Sequence, residues 1–136
     1  MIYYADRFIK NKFLRFSIVG FSGTLTNLLI FWFVVDYLKN SANAGSTIAF
    51  IFAVTQNYFL NHFWSFQEYS KRISPSFAGY FKFVCVSLIG FGVNILILNL
   101  ILHFLVLPLK VIAQAIGILA GLIVNYLGSS KFVFKD

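Results

Sequence analysis

Long apolar segments of this 136-residue chain contain asparagines, among them Asn27, Asn57, Asn94 and Asn125. An amide in an apolar medium costs free energy unless its hydrogen bonds are satisfied. Such amides either hydrogen-bond one helix to another or line a polar cavity that receives a ligand with hydroxyl groups. The sequence leaves both roles open.

Basic side chains stand near the ends of the same apolar segments. Arg15 and Lys82 each precede an in-segment asparagine by twelve residues, and Lys131 follows Asn125 by six. Cations bind phosphate and amides bind hydroxyls, so together they would suit an amphiphile with an anionic, hydroxylated head. In the simpler interpretation, the bases only set the topology and contact lipid headgroups.

An aromatic side chain completes this pattern at the end of the second apolar segment. Asn57, Asn61 and Trp64 are spaced i, i+4, i+7, which places them along one side of a helix. The fourth segment repeats the spacing with Asn125, Ser129 and Phe132. Since aromatic faces pack on the C–H surfaces of sugars, the pattern favours a carbohydrate headgroup.

The elements that position these residues are predicted to be membrane helices. The chain is 60% hydrophobic and 11% charged, with a mean hydropathy of +0.83, so it has too few charged residues to cover a soluble domain. Runs of about 20 apolar residues match the hydrocarbon thickness, and four of them occupy 13–38, 45–63, 83–106 and 111–127. We therefore predict an all-α membrane protein of four transmembrane helices in a single domain, 1–136, preceded by an interfacial amphipathic segment at 1–12.

Charge distribution predicts the orientation. The formal net charge is +7, and nine of the eleven Lys and Arg residues fall in the N-terminal flank, the central loop with the start of the third span, and the C-terminal tail. By the positive-inside rule both termini and the central loop are cytoplasmic. Because the bases cluster at span ends, membrane topology explains them and nucleic-acid binding is not expected.

An internal repeat relates the two halves of the chain. A shift of 67 residues places Arg15 on Lys82 and Asn27 on Asn94. A shift of 68 residues places NYFLNHFWSF on NYLGSSKFVF. The second shift also aligns two rows of small residues that allow close helix packing: Gly45, Ala49 and Ala53 with Ala113, Gly117 and Gly121. We predict two parallel two-helix repeats, at about 13–66 and about 80–134, joined by a cytoplasmic loop at about 67–79.

The sequence lacks the usual machinery of enzymes. It has no Gly-rich phosphate loop with Lys-Ser/Thr, no His/Cys/Asp/Glu cluster with metal-ligand spacing, and no nucleophilic triad near His62 or His103. The lone Cys85 cannot form an intrachain disulfide. We expect neither catalysis nor a metal or cofactor.

Two segments resemble the GtrA-like family of small four-span bacterial membrane proteins. They are FLRFSIVGFSGTLTNLLIF, which begins the first span, and QNYFLNHFWSF, which ends the second. The family's R/K-F-x-x-V-G start falls on Arg15 to Gly20, and its N-[FY]-x-x-N-[RH]-x-W-x-F signature falls on Asn57 to Phe66. The second half departs from the pattern, with Ser129 in place of the Asn and Phe132 in place of the Trp.

The resemblance implies a flippase in the bacterial cytoplasmic membrane. Such a protein would move a polyprenyl-phosphate-linked monosaccharide from the inner to the outer leaflet, for glycosylation of a cell-envelope polysaccharide, without ATP hydrolysis. The phosphate would be bound by Arg15, Lys82 and Lys131, and the headgroup by Asn27, Asn57, Asn61, His62, Trp64, Asn94, Asn125 and Tyr126. Implied partners are the glycolipid, membrane lipids, a membrane glycosyltransferase and further copies of the chain.

Two other functions fit a chain of this size. One is a small ion channel or exporter, although four-span multidrug exporters need an acidic residue within the first span and Asp36 lies at its outer end. The other is a non-transporting partner that docks a membrane glycosyltransferase. Ion flux in liposomes would identify the channel, and glycolipid transport by the purified chain alone would exclude the docking partner.

Overall fold

A computed structural model describes residues 11–106 and 110–135, and throughout these ranges the regular structure is helical. Contacts divide the chain into two units, Met1–Pro75 and Ser76–Asp136. The division falls inside the loop predicted at 67–79. The predicted amphipathic segment lies almost entirely outside the described residues, as do positions 107–109 between the third and fourth predicted spans.

The first unit contains a helical hairpin. Helix α1 (Lys12–Phe31) continues as a π-helical segment, Trp32–Tyr37, and α2 (Ala42–Leu60) continues as a second one, Asn61–Ser65. A four-residue helix, α3 (Gln67–Ser70), follows. The two long helices pack against each other, and their observed bounds agree with the predicted spans to within a few residues.

The second unit contains the corresponding pair. Helix α4 (Phe77–Phe104) packs against α5 (Lys110–Gly128), which continues as the π-helical segment Ser129–Val133. α4 begins six residues earlier than the predicted third span. The Ser76 side chain caps it by accepting a hydrogen bond from the Gly79 N–H at 3.0 Å, so the start is set by capping chemistry and not by hydropathy.

Short caps also fix the two helix starts of the first unit. Asn11 accepts a hydrogen bond from the Phe13 N–H at 3.0 Å before α1, and Ser41 accepts one from the Ala44 N–H at 3.2 Å before α2. Between these helices Lys39 adopts a left-handed conformation, with φ of 56°, at the point where the chain reverses. The reversal therefore occurs between the first two predicted spans, 13–38 and 45–63.

Small residues lie where the helices approach most closely. In the first unit Gly45, Ala49 and Ala53 are all buried. In the second, a Cβ added to Gly121 would come within 2.6 Å of the Gly90 backbone oxygen, so α4 and α5 are in backbone contact there. This close approach is what the predicted small-residue rows require.

Corresponding features appear in the two units at the spacing of the predicted repeat. The Phe66 N–H donates to the Asn61 carbonyl at 2.8 Å, and 68 residues later the Phe134 N–H donates to the Ser129 carbonyl at the same distance. Each of these phenylalanines packs on an aromatic ring of the first long helix of its own unit: Phe66 on Phe16 of α1, with ring centroids 6.3 Å apart, and Phe134 on Phe83 of α4, at 6.1 Å. The matched geometry supports the repeat hypothesis.

The helices present large apolar side chains outward. Phe21 and Leu29 of α1, and Phe81 and Phe91 of α4, are each more than 60% exposed. Within the described residues, Lys12–Val34 and Phe77–Phe104 are long and apolar enough to cross a membrane, with mean hydropathies of 1.6 and 2.4. Outward-facing apolar surface of this extent is what a lipid environment solvates, and the four-span arrangement stays a prediction.

Candidate anion-binding site

Arg15 is a buried cation of the first unit. It lies on the first turns of α1, is only 7% exposed, and donates from Nη1 to the Trp64 carbonyl oxygen at 3.0 Å. Its guanidinium carbon also lies 6.0 Å from the centre of the Trp64 ring, a cation–π distance. Arg15 thus ties the beginning of α1 to the end of α2.

The π-helical segment Asn61–Ser65 positions the Trp64 end of this contact. An i→i+5 turn adds one residue to the helical turn, which changes the direction of the side chains and carbonyls that follow, and such turns are frequent at functional sites. Within the segment the Ser65 hydroxyl donates to Asn61 Oδ1 at 2.7 Å, and both residues are 1% exposed. A buried hydrogen bond therefore fixes the turn on which Trp64 stands.

An open pocket of about 320 Å³ lies beside Arg15. Its lining combines two cations, two neutral hydrogen-bonding side chains and one carboxylate: Lys12, Arg15, Ser65, Gln67 and Glu68. A guanidinium presents planar, paired donors that match phosphate geometry, and an ammonium adds a point charge. The pocket can therefore hold a phosphate, with hydroxyl or amide groups alongside it.

The predicted headgroup residues at the end of α2 occupy different environments. Trp64 is half-buried against Arg15, whereas Asn61 and His62 are each only 1% exposed and neither lines the pocket. The His62 ring packs against Tyr58 and Tyr69, with centroids 5.9 and 5.6 Å away. Asn61 and His62 therefore support the site from behind, and Trp64 holds Arg15 without lining the pocket.

Asn57 lies deeper along α2, next to α1. Its amide occupies the space beside Gly23, where an added Cβ would overlap it. Asn57 Oδ1 is buried and has no hydrogen-bond partner within the described part of the chain. Asn27, one turn beyond Gly23 on α1, is half-buried. Asn57 is thus the in-span amide of the first unit with an unsatisfied acceptor.

The second unit places its predicted site residues differently. Lys82 and Lys131 are exposed, and Phe132, which corresponds to Trp64, is 68% exposed. Asn94 Oδ1 is buried without a partner among the residues described, and Asn125 Oδ1 accepts a long hydrogen bond of 3.5 Å from the Ser129 hydroxyl. Tyr126 is half-buried. The buried cation–indole arrangement of the first unit therefore has no equivalent at these positions.

Sequence reasoning missed several polar residues of the first unit. Lys12, Ser65, Gln67 and Glu68 were not among the predicted site residues, although they line the pocket. Gln56 was also missed: it donates to the Ser22 hydroxyl at 2.9 Å and accepts from the Thr26 hydroxyl at 2.6 Å, which joins α2 to α1. The i, i+4 spacing of Ser22 and Thr26 was the available signal for this polar link.

The match to a family model covers nearly the whole described chain. The model of the GtrA/DPMS transmembrane domain matches residues 15–134, so the match begins at Arg15 and ends at Phe134. The chain belongs to this family. A comparison with curated proteins finds no match.

Membership of the GtrA/DPMS transmembrane domain family identifies a helical membrane protein. It also points to the handling of polyprenyl-phosphate sugars. A cationic pocket at the end of a membrane helix is consistent with such a lipid, whose phosphate stays near the surface while its tail stays in the hydrocarbon.

Proposed function

We propose that this GtrA/DPMS-family chain moves a polyprenyl-phosphate-linked monosaccharide from the inner to the outer leaflet of the bacterial cytoplasmic membrane without ATP hydrolysis. The observation that carries the proposal is the pocket of the first unit, where Arg15 is anchored on Trp64 beside Lys12. The sugar would then be consumed by glycosylation of a cell-envelope polysaccharide.

The phosphate would bind at Arg15 and Lys12. A guanidinium has five N–H donors in a fixed fork, so it can donate to the Trp64 carbonyl from one nitrogen and still donate to a phosphate oxygen from another. The bond to Trp64 holds the fork in place before the ligand arrives, which lowers the ordering cost of binding. Lys82 and Lys131, both exposed, would attract an anionic head to the second unit.

The sugar would pass along the amides. Asn57 Oδ1 is a buried acceptor without a donor in the described structure, and a sugar hydroxyl is such a donor. Asn94 Oδ1 offers the same chemistry in the second unit, and Asn27, Asn125 and Tyr126 are half-buried polar side chains of the long helices. The polyprenyl tail would remain in lipid against the exposed apolar faces.

No step of this mechanism needs an enzyme or an energy source. A transporter without energy coupling equilibrates its substrate between leaflets, so net flux follows from synthesis inside and consumption outside.

Four helices are few to enclose a headgroup, and we propose that copies of the chain assemble, with a membrane glycosyltransferase as a further partner. Both termini would lie in the cytoplasm.

Transport by the purified chain tests the proposal. We expect proteoliposomes to equilibrate a short-chain polyprenyl phosphosugar between leaflets without ATP, and to show no ion flux above protein-free vesicles. Ion flux without lipid transport would establish the channel, and transport of neither would favour the docking partner. Either result would overturn the flippase proposal.

A further inference from the structure

A carboxylate stands among the cations of the pocket. Glu68 lines it together with Lys12 and Arg15, and its side chain is 57% exposed. On the other side Glu68 Oε1 accepts a hydrogen bond from Lys71 Nζ at 2.8 Å, in an exposed i, i+3 pair. A site that only needed to attract anions would gain nothing from a negative charge in its wall.

Glu68 is ionised at neutral pH. The hydrogen bond from Lys71, followed by the charge of that ammonium, holds the pKa of the Glu68 carboxyl below its ordinary value, and Lys12 and Arg72 act in the same direction. The pocket wall therefore carries two positive charges and one negative charge, and Lys71 and Arg72, both exposed, lie outside its lining.

The charge balance distinguishes two phosphate esters of the same lipid. A sugar attached through phosphate makes a phosphodiester with one negative charge. The carrier without its sugar is a phosphomonoester, which carries about −1.5 to −2 at pH 7 because its second pKa is about 6. Lys12 and Arg15 attract both esters, and the more highly charged monoester more strongly, whereas the Glu68 carboxylate repels both and repels the monoester more strongly. The carboxylate therefore lowers the advantage that the cations of the pocket would otherwise give the monoester.

We propose that Glu68 is a specificity residue that lowers the affinity of the pocket for the bare polyprenyl phosphate relative to the sugar-bearing phosphodiester. This inference rests on the proposed function, since it assumes that the pocket binds the lipid phosphate. Its consequence is that the spent carrier competes less well with the loaded one than it would without Glu68. Unfavourable juxtaposition of like charges is a common source of such selectivity.

Lys71 weakens the repulsion between Glu68 and the phosphomonoester. Its ammonium neutralises part of the Glu68 charge from the solvent side, in a pair that salt screens. Lys71→Gln should therefore strengthen the repulsion of the monoester, and Glu68→Gln should remove it. Two variants on adjacent turns are thus expected to change selectivity in opposite directions.

The test is binding of two short-chain lipids, a polyprenyl phosphate and the corresponding polyprenyl phosphoglucose, to the full purified chain in nanodiscs at pH 7.5 and low salt. We expect Glu68→Gln to raise the affinity for the polyprenyl phosphate relative to the phosphoglucose by about threefold to tenfold over the wild type. Lys71→Gln should shift this ratio in the opposite direction. The control Asp36→Asn, which removes an exposed carboxylate outside the pocket, should match the wild type.

The outcomes separate this inference from the proposed function. If the wild type binds the lipids but Glu68→Gln keeps the wild-type preference, the role of Glu68 is wrong and the transport proposal stands. If Glu68→Gln shifts the ratio toward the phosphoglucose, the inference fails in the same way. If the wild type binds neither lipid, the proposed function and the inference that rests on it are both wrong.

Discussion

At the scale of single residues, burial distinguishes the cations that the sequence treats alike. Arg15, Lys82 and Lys131 all carry the topology signal expected at span ends. Only Arg15 of these three is buried, and it is held by a carbonyl and an indole. A charge that served topology alone would not need this environment, because water and lipid headgroups satisfy it at lower cost.

Ser65 supports the site through one hydrogen bond. Ser65→Ala would leave the buried Asn61 Oδ1 without the donor that now lies 2.7 Å away, so we expect the free energy of unfolding to fall by about 1–3 kcal/mol. Equilibrium unfolding in mixed micelles measures this loss of unfolding free energy. Ser70→Ala, which removes a hydroxyl bonded to the carbonyl of Gln67 in its own short helix, is the control and should cost less than about 0.5 kcal/mol. Equal losses in the two variants would contradict the supporting role.

At the scale of helices, the close approach of α4 and α5 depends on glycine. A Cβ at Gly121 would meet the Gly90 backbone oxygen at 2.6 Å, and backbone cannot move aside as a side chain can. We expect Gly121→Ala to lower the free energy of unfolding by about 1–3 kcal/mol despite the better helix propensity of alanine.

Gly92→Ala is the matched control for this packing. It lies on the same helix as Gly90, and a Cβ there would meet no described atom within 4 Å. We expect it to be neutral or slightly stabilising, by up to about 1 kcal/mol. Thermal unfolding in detergent, followed by size-exclusion chromatography, compares the two variants. If Gly121→Ala were as stable as Gly92→Ala, the described contact would not hold the helices together.

The long helices could be predicted from the sequence because hydropathy and span length are strong, local signals. The π-helical segments Asn61–Ser65 and Ser129–Val133 could not, since an i→i+5 turn has no composition of its own. Each depends on where the next phenylalanine packs, Phe66 on Phe16 and Phe134 on Phe83, which is a tertiary contact.

The site was predicted in part for a similar reason. Arg15, Trp64 and Asn57 stand out as charged, aromatic or amide residues in spaced motifs. Lys12, Gln67 and Glu68 lie just beyond the spans, where polar residues are expected to meet water in any case, so nothing in their spacing marked them as pocket residues. Burial of Asn61 and His62, which now appear as supports, is likewise a property of packing.

At the scale of the whole molecule, the orientation in the membrane is the next test. In a Cys85→Ser background, a cysteine at Asn40 should react with an impermeant maleimide in intact cells, and one at Arg72 should react only after permeabilisation. The segments predicted to lie inside contain nine basic residues, and the two turns predicted to lie outside contain two. The positive-inside rule therefore gives this orientation. Labelling at position 72 from outside would invert the topology and with it the direction of the proposed transport.

The central claim is that Arg15 binds the phosphate of a transported lipid, and the most direct measurement is the initial rate of polyprenyl phosphosugar transport in proteoliposomes at subsaturating lipid. Arg15→Gln removes a charge-assisted contact of about 1.5–3 kcal/mol, so transport should fall about tenfold to a hundredfold. Arg15→Lys, which keeps the charge but loses the fork, should fall between it and the wild type. The control Lys135→Gln, an exposed base in the C-terminal tail, should match the wild type. With equal reconstitution and orientation, wild-type transport by Arg15→Gln would contradict the account.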